Sequence, residues 1–424
     1  MLDSLVTDAS GNVFINSLRR SVSGVVLVPA ENNTPIKVPI ATAAGNGMSR
    51  PTPLEGPQDA YSEVFCLHGA HGMRRMGTGV ITAVAGLVAV VGTNTLFLGE
   101  ILPGDTLICL DDAGNLQTKT VAAANPTTNV NLNVTVLFAA AVTNQQFVVF
   151  TPIVADVVNR MRVEIRDVAW QRMLMNRPIS VAHVFGNALQ PELLKDAPLF
   201  EKNQMWIMQF YNPSLVAAGS FAPVATARKW QIEALQKPEV AKELAAQHQR
   251  KIYVQPYWLT NDVDLIIPDV GAQVNTGITF FSNTGDITLF LFNLYAHVIA
   301  TGANPINVNE TEPFTIELSE TRTGRSFQNQ PFTLNTGCGN AQFPFPLPSP
   351  IILGPRSQLK ARVVTNYTNF PGVAVNTEIA ITFGGLAVMT NKTAVTDPAL
   401  MAEMRNLYRQ ASNPYYEDIN CKGR

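Results

Sequence analysis

The sequence predicts a mainly β protein with some α: a small β-barrel, then a helical connector, then a jelly-roll-like antiparallel β-sandwich. Two series of short β-branched segments, each punctuated by turn residues, predict the two β modules. A stretch between them, richer in charged and helix-favouring residues, predicts the connector. The 424 residues suffice for two to three domains with cores of their own.

The composition indicates a globular protein whose surface is made polar by amides and hydroxyls more than by ions. Charged residues are only 15% of the chain, and the 34 Asn and 36 Thr together outnumber them. Apolar residues make up 46%, which excludes a charge-rich disordered chain. The net charge of −2, from 30 basic and 32 acidic residues, excludes a nucleic-acid binder driven by bulk charge.

Membrane and secretion signals are not expected. The longest apolar run, residues 80–92, is shorter than the roughly 18–20 residues of a membrane-spanning helix. The N-terminus has no basic patch followed by an apolar block. The four cysteines match no metal or redox spacing, so we expect buried free thiols made in a reducing cytosol. They are Cys66, Cys109, Cys338 and Cys421.

The order of these patterns predicts five segments. They are an irregular N-terminal arm with short strands (1–76), a small β-barrel (77–152), a helical or mixed connector (153–250), a β-sandwich (251–395), and a C-terminal helix and tail (396–424).

The barrel is predicted from six short strands within about 75 residues, spaced near 8–12 residues apart. Turns such as Pro103-Gly104-Asp105 separate them, and only five residues of 77–152 are charged. In the connector, residues 154–175 leave helix and strand both open, because their apolar residues follow no single period. Residues 227–250 predict two short helices divided at Pro238.

Nine short strands in 251–389 predict the sandwich. Lys360 and Arg362 lie on the same face of one strand, which favours an antiparallel sheet with one face exposed to solvent. A helix is predicted from Asp397-Pro398, which suit a helix start, with apolar residues following at three- and four-residue steps. The tail after residue 411 has no packing period.

Two stretches carry a resemblance to known families. Residues 77–82, 90–97, 101–107 and 129–134 resemble a small β-barrel module common in tailed-bacteriophage structural proteins. Residues 256–265, 314–325, 341–353 and 357–368 resemble a β-sandwich of uncharacterised phage virion proteins, through a Thr-Gly-Arg turn, a Gln-Phe-Pro-Phe segment and a strand ending near Thr-Asn-Tyr-Thr. The resemblance implies architecture and a place in the virion, and it implies no catalytic residue.

One local cluster of soft ligands occurs, formed by Cys66, His68 and His71. It could hold zinc with a fourth ligand from elsewhere, but the nearby glycines favour a loop with hydrogen-bonded imidazoles. His183, His248 and His297 are isolated, and we interpret His297 as a satisfied core or interface histidine. We therefore predict no metal, no cofactor and no metal-binding residue.

Catalytic motifs are absent from the sequence: no nucleophile elbow, phosphate loop or paired-histidine zinc motif occurs. The carboxylate pairs Asp111/Asp112 and Asp262/Asp264 lie in predicted turns or at strand starts, so a glycosidase pair stays an unfavoured alternative. The proline-rich residues 343–350 favour an extended connector at a sandwich edge over a polyproline ligand for a partner. Three arginines are expected to be solvated turn residues that could meet acidic groups of a neighbour. They are Arg322, Arg325 and Arg356.

Low charge, two β modules and long loops are typical of a protein that works within an assembly, because neutral polar surfaces cost less to desolvate than ionic ones. We expect a non-enzymatic structural component of a phage particle: a capsid-associated or head–tail/vertex protein. It would form homo-oligomers, most plausibly a trimer or ring, and contact other virion proteins, with no specific nucleic acid and no membrane. It would be made in the host bacterial cytoplasm and reside in the virion.

The alternative is a tail or baseplate component that binds a receptor or surface glycan through sandwich loops. A glycan-cleaving enzyme is a third, unfavoured class. The apolar residues of 1–76 and 412–424 predict that both termini are ordered against the chain's own modules or an adjacent subunit. A mobile tail without a role stays open as the other interpretation of 412–424.

Overall fold

A computed structural model of the chain describes most of its residues. They are 5–7, 13–15, 22–29, 36–55, 61–72, 74–123, 125–151, 153, 155–168, 171–187, 189–194, 199–200, 205–215, 217–230, 252–267, 276–301, 314–365 and 376–390. The predicted helices of 227–250 are not present at their start, because residues 227–230 lie in a strand that ends at Trp230. Residues 231–250, the predicted helix 396–411, the tail after residue 411, His248 and Cys421 lie outside the described residues.

Seven strands come first along the chain. They are β1 (Leu5–Thr7), β2 (Val13–Ile15), β3 (Val22–Pro29), β4 (Ile36–Val38), β5 (Gly47–Met48), β6 (Thr52–Glu55) and β7 (Tyr61–His71). Eight shorter strands and a one-turn helix follow in the region of the predicted barrel. They are β8 (Arg74–Met76), β9 (Val80–Ala83), β10 (Ala89–Thr93), α1 (Phe97–Glu100), β11 (Thr106–Leu110), β12 (Leu116–Thr120), β13 (Asn131–Asn133), β14 (Val142–Gln145) and β15 (Phe147–Phe150).

The described part of the predicted connector contains one six-residue helix, a 3₁₀ turn and seven strands. They are α2 (Ala155–Arg160), β16 (Arg162–Asp167), β17 (Arg172–Met173), β18 (Ile179–Ser180), the turn Val181–His183, β19 (Glu192–Leu193), β20 (Leu199–Phe200), β21 (Met205–Asn212) and β22 (Gly219–Trp230). The last part holds nine strands and a second one-turn helix. They are β23 (Ile252–Thr260), β24 (Leu265–Ile267), β25 (Thr276–Ser282), β26 (Thr288–Thr301), β27 (Phe314–Glu320), β28 (Phe332–Thr333), α3 (Leu334–Gly337), β29 (Phe345–Leu353), β30 (Gln358–Thr365) and β31 (Asn376–Thr390).

The last nine strands form a jelly roll, which we call the second roll. One sheet has the order β23-β31-β26-β29, and the other has the order β25-β30-β27-β28. Numbered along the chain without the short β24, these eight strands are arranged 1-8-3-6 and 2-7-4-5, all antiparallel. Two facing antiparallel sheets in this double Greek-key order make a jelly roll. The predicted sandwich, and with it the mainly β fold class, is confirmed.

The earlier strands form a jelly roll of the same order, which we call the first roll. Its sheets are β3-β22-β7-β19 and β5-β21-β16-β17. Numbered along the chain without the short strands β4, β6, β18 and β20, they again have the pattern 1-8-3-6 and 2-7-4-5. The strands of residues 22–71 thus pair with those of residues 162–230, across the predicted segment boundaries. The structure differs here from the expected N-terminal arm and helical connector.

The physical reason for this difference is visible in β21 and β16. Along Met205–Asn212 each second residue is buried and the others are half-buried, which is the two-residue period of a strand. In β16 the charged side chains of Arg162, Glu164 and Arg166 alternate with buried Val163 and Ile165. The charged residues of this strand raise the overall polarity of the segment, and without knowledge of the paired strand that polarity favours a helix.

The predicted barrel is an insertion within the first roll, between β7 and β16. Two four-stranded antiparallel sheets, β13-β10-β9-β14 and β12-β11-β15-β8, enclose a core of their own. Phe97, Phe138 and Phe147 are its largest fully buried side chains. We call residues 74–150 the insert. The strand succession that the turns predicted is present, with eight strands in place of six.

The two rolls pack against each other along a shared surface, which we call the junction. Trp258 and Tyr295 of the second roll are buried in the same apolar cluster as the core of the first roll. Arg162, at the start of β16, contacts Asp264 and Glu378, which lie beside the first and last inter-strand connections of the second roll. The insert-bearing end of the first roll and this end of the second roll therefore lie on the same side of the molecule.

Candidate functional site

The proposed soft-ligand cluster lies on a strand and not on a loop. Cys66, His68 and His71 belong to β7, in the middle of a six-stranded sheet. The Nε2 atom of His68 lies 3.3 Å from Thr226 Oγ1, and the ring of His71 packs edge-on against Phe221. Burial lowers the pKa of His71 to about 4 and raises that of the Cys66 thiol. Among the described residues, no group of three or more His, Cys, Asp or Glu is arranged to hold a metal.

The carboxylate pair of the insert stabilises turns. Asp111 accepts hydrogen bonds from the backbone N–H groups of Ala113 and Asn115, at 3.0 and 2.8 Å. These bonds hold the pKa of Asp111 below its ordinary value, the bond from Asn115 contributing most. Asp112 accepts from the backbone and the hydroxyl of Thr143 at 2.7 and 2.8 Å. Both carboxylates are thus engaged in local structure.

The second pair is divided between two tasks. Asp262 accepts hydrogen bonds from the backbone N–H and the hydroxyl of Ser282, at 2.9 and 2.5 Å, and so closes a corner of the second roll. Asp264 pairs with two arginines of the first roll, Arg162 at 3.1 Å and Arg177 at 2.6 Å. The structure does not arrange the two carboxylates as an acid and a nucleophile around a cleft.

The proline-rich segment lies at the edge of the sandwich as predicted, but as a paired strand and not as a connector. Residues 345–353 form β29, the outermost strand of its sheet, which among the described residues pairs with β26. Prolines 346, 348 and 350 lack an N–H group, so this edge cannot extend a regular hydrogen-bond ladder to a further strand. The three singled-out arginines are exposed in turns, and Arg356 lies 3.9 Å from Asp286.

The insert has a surface unlike that of the rolls. It carries eleven of the large apolar side chains that are exposed in the described residues, against five in the described part of the second roll. Leu98, Leu116 and Leu137 are among them, each more than half exposed. A protein surface that combines exposed apolar groups with few charges is suited to contact with another protein.

The few charges of the insert are nearly all used within it. Glu100 accepts hydrogen bonds from the backbone and hydroxyl of Thr78, at 3.0 and 2.5 Å. Lys119 donates to the carbonyl of Leu137 at 2.7 Å and lies over the ring of Phe138. Asp105, in the Pro-Gly-Asp turn, is buried and accepts from the N–H of Leu102 at 2.8 Å. The outer surface of the insert therefore carries few charges, and most of these are held by neighbouring residues.

The junction, by contrast, contains ion pairs, whose side chains range from nearly buried at Glu378 to exposed at Asp264. Arg162 forms ion pairs with Glu378 and Asp264, and Arg177 also donates to the backbone carbonyls of Asn261 and Asp262. Burial works against the charge of Arg162, but the two carboxylates outweigh it and raise its pKa. The same arginines hold the pKa of Asp264 below its ordinary value against the opposing effect of burial.

Further polar contacts cross the junction in parallel with this network. Trp206 Nε1 and Gln255 Nε2 both donate to Asp167 Oδ2, at 3.2 and 3.1 Å. Asn176 exchanges two hydrogen bonds with the backbone of Thr260, at 2.7 and 2.9 Å. Because hydrogen bonds are directional, this set fixes the orientation of one roll on the other.

Sequence reasoning identified only one member of the junction, His297, as a core or interface histidine. The structure places it there, with Nδ1 2.9 Å from His183 Nε2. The other members come from strands that are far apart in the sequence, and the first roll itself was not anticipated. An available signal was the alternation in Met205–Asn212, which indicates a paired strand.

No protein-family model matches the chain, and a search of curated proteins gives no match. Among solved structures, the chain is similar to VP17, a capsid protein of bacteriophage P23-77, with a TM-score of 0.21 and 8% identity over 49% of this chain and 97% of that one. It is also similar to the Faustovirus major capsid protein, with a TM-score of 0.25 and 8% identity over 87% and 90% of the two chains.

A third similar structure is described as the triple jelly roll fold and turret assembly in an archaeal virus. Its TM-score is 0.19, with 9% identity over 89% of this chain and 92% of that one. All three TM-scores lie below 0.5, so the fold of this chain rests on its own strand order. Within the described residues, no helix is long and apolar enough to cross a membrane.

Proposed function

We propose that this chain is a non-enzymatic structural component of a virus particle, a shell protein that assembles through protein–protein contacts. The observation that carries the proposal is the pair of jelly rolls fixed to each other by a buried polar junction, with a neutral insert extending from one of them. Jelly rolls are recurrent in viral capsids and in lectins, and a fold alone does not decide between such uses.

The chemistry of the rolls supports a structural role. The clusters that fill both rolls are made of apolar side chains, so neither interior forms a polar reaction chamber. The four singled-out carboxylates all accept hydrogen bonds or ion pairs from neighbouring residues. A catalytic acid or base needs a site where a substrate can reach it, and these carboxylates are already occupied.

The finer position in the particle follows from surface chemistry. A shell protein must bury large lateral surfaces against copies of itself, and a neutral surface loses little hydration energy when it does so. The insert supplies such a surface, so we assign it to contacts between copies in a capsid-associated role, in preference to a head–tail or vertex role. The assignment to a tailed phage has its support in the sequence resemblance alone.

Self-association of the purified chain tests this proposal. We expect sedimentation velocity at micromolar concentration to show a closed oligomer in place of the 46.0 kDa monomer. The triple variant Leu98→Ser, Leu116→Ser, Leu137→Ser removes apolar area from the insert and should shift the protein towards monomer.

The matched control is Val263→Ser with Ile266→Ser, which removes exposed apolar area from the second roll. It should leave the oligomer unchanged. A parent chain that stays monomeric at tens of micromolar, in the same buffer, would speak against a self-assembling shell protein. An oligomer that the insert variant leaves intact would reject the insert as the contact surface.

A further inference from the structure

A chain of four hydrogen-bonded groups crosses the junction, and we call it the histidine chain. The carbonyl oxygen of Asn159 lies 2.9 Å from His297 Nε2, and His297 Nδ1 lies 2.9 Å from His183 Nε2. His183 Nδ1 in turn lies 2.9 Å from Thr382 Oγ1. All four ring nitrogens are therefore occupied, and His183 is fully buried.

The histidine chain alternates between the two rolls. Asn159 and His183 belong to the first roll, whereas His297 and Thr382 lie on β26 and β31 of the second. Every link of the chain thus joins one roll to the other. Within it, the rings of His183 and His297 meet edge to face with centroids 4.7 Å apart.

The proton positions follow from the first link. A backbone carbonyl only accepts, so His297 Nε2 carries a hydrogen, and in a neutral ring Nδ1 then accepts. His183 Nε2 must therefore donate to His297, which leaves His183 Nδ1 as the acceptor of the Thr382 hydroxyl. Both histidines are neutral, each with its proton on Nε2, and the chain has a single direction.

A further proton reverses the direction of the chain. With His297 charged, its Nδ1 donates to His183 Nε2, and His183 Nδ1 donates to Thr382 Oγ1, whose hydroxyl donates to Thr260 Oγ1 at 3.2 Å. The hydrogen bonds are kept, so the cost of the proton is electrostatic. It places a positive charge against the fully buried His183 and near the guanidinium of Arg162.

The charged and titratable groups around the histidine chain come from five elements. They are Arg162 on β16, Glu378 on β31, Asp264 after β23, Tyr295 on β26 and Glu192 on β19. Arg162 and Arg177 together balance the charges of Glu378 and Asp264. Glu192 accepts the hydroxyl of Tyr295 at 2.5 Å, and it is the aromatic ring of Tyr295 that stacks on His183.

We infer that the histidine chain makes the junction an acid-sensitive joint: protonation of the His183–His297 pair releases one roll from the other while both rolls remain folded. The surfaces that would separate are polar and charged at this point, so water can solvate them once they part. The apolar core of the second roll contains no part of the histidine chain and keeps its packing. In the first roll, the apolar cluster loses only the two side chains that the second roll inserts into it, Trp258 and Tyr295.

The direction of the pH dependence supports this inference. Burial, and then the neighbouring His297, place the pKa of His183 well below its ordinary 6.5; burial, with Arg162, also lowers that of His297. In the opened joint the two histidines regain the ordinary pKa of about 6.5, so they take up protons at a higher pH than in the closed joint. The closed joint is therefore stable above about pH 6.5 and is progressively lost as the pH falls below it.

Hydrogen exchange of the full chain measures the opening. Two backbone bonds cross the junction and report on it: Trp258 N–H to the carbonyl of Leu174, and Ala341 N–H to that of Ala182, both 2.9 Å. After correction for intrinsic rates, their exchange should speed up about 60-fold between pH 6 and pH 5, because two histidines of ordinary pKa take up protons in the opened joint. Amides of the strand pairs β16–β21 and β26–β31 should not follow.

Variants distinguish opening that is caused by the histidine chain from a general loss of stability in acid. His183→Gln with His297→Gln keeps polar groups at both positions and removes the titration, so the acid response at Trp258 and Ala341 should be lost. His68→Gln, on β7 within the first roll, is the matched control and should keep the response in full.

Two results would overturn the inference. One is junction amides of the unaltered chain that show the same pH dependence as the reference strand pairs, a measurement that needs no variant to fold. The other is a folded double-glutamine variant that still opens in acid. Neither outcome depends on whether the chain assembles into a shell.

Discussion

The junction and the outer surface of the insert use charge in opposite ways. The junction buries Glu378 and Asp167, half-buries Arg162, and gives each of them a partner on the other roll. The insert exposes leucines and valines and keeps its few charges within its own turns. The difference teaches that hydrogen bonds and ion pairs are used at the junction, where the orientation of one roll on the other must be fixed. Exposed apolar side chains are used on the insert, where a surface would be dehydrated on contact with another protein.

The largest effect is expected from breaking the ion pair of the junction. Arg162→Met leaves the carboxylate of Glu378 buried without its cation, which costs about 3–5 kcal/mol. Arg362→Met is the control, because its contact with Glu317 is 3.9 Å long and both side chains are substantially exposed. It should cost about 0–1 kcal/mol. Urea denaturation gives both free energies of unfolding, and equal losses would contradict the contrast.

A smaller effect is expected from a single hydroxyl at the junction. Tyr295→Phe removes a hydrogen bond to the buried carboxylate of Glu192 and should cost about 1.5–3 kcal/mol, as bonds to charged groups do. Tyr257→Phe is the control: burial raises the pKa of this tyrosine to about 12, and it lies in the same sheet. It should change the stability by no more than about 0.5 kcal/mol. Thermal unfolding measures the stability of both variants. A Tyr295→Phe variant as stable as the unaltered chain would show that the hydroxyl does not contribute to stability.

The smallest effect on stability is expected on the insert surface. Leu116 is 67% exposed, so Leu116→Ser should change the free energy of unfolding of the separate chain by no more than about 0.5 kcal/mol. Leu107, on the neighbouring strand and fully buried, provides the contrast, since Leu107→Ala should cost about 2–5 kcal/mol. Denaturation at a concentration that favours monomer measures both. A large loss for Leu116→Ser would mean that its side chain packs within the monomer.

The second roll and the insert could be predicted because their successive strands follow one another along the chain without a folded insertion between them. The nine strands predicted in 251–389 are matched in number by the strands β23 to β31, with turn residues between them. The insert is likewise legible through turns such as Pro103-Gly104-Asp105, whose carboxylate caps its own backbone. Local turn chemistry and alternation need no knowledge of distant partners.

The first roll could not be recognised in the same way, because the insert separates its halves. β7 ends at His71, and the strand that follows it in the roll, β16, begins at Arg162. Strand pairing over such a distance leaves no local sequence pattern. The short strands β17, β18 and β19, of two residues each, also lack a period that could be measured.

What the sequence by itself determined is the mainly β fold class, the second roll, the insert and its neutral composition, because these depend on neighbours along the chain. Only the tertiary structure decided that there are two rolls and that the junction joins them. It also decided that His183 and His297, 114 residues apart, share a hydrogen bond. The physical reason is that burial and pairing across a junction are properties of surfaces that meet only after folding, whereas turns and strand alternation are already written in the local order of residues.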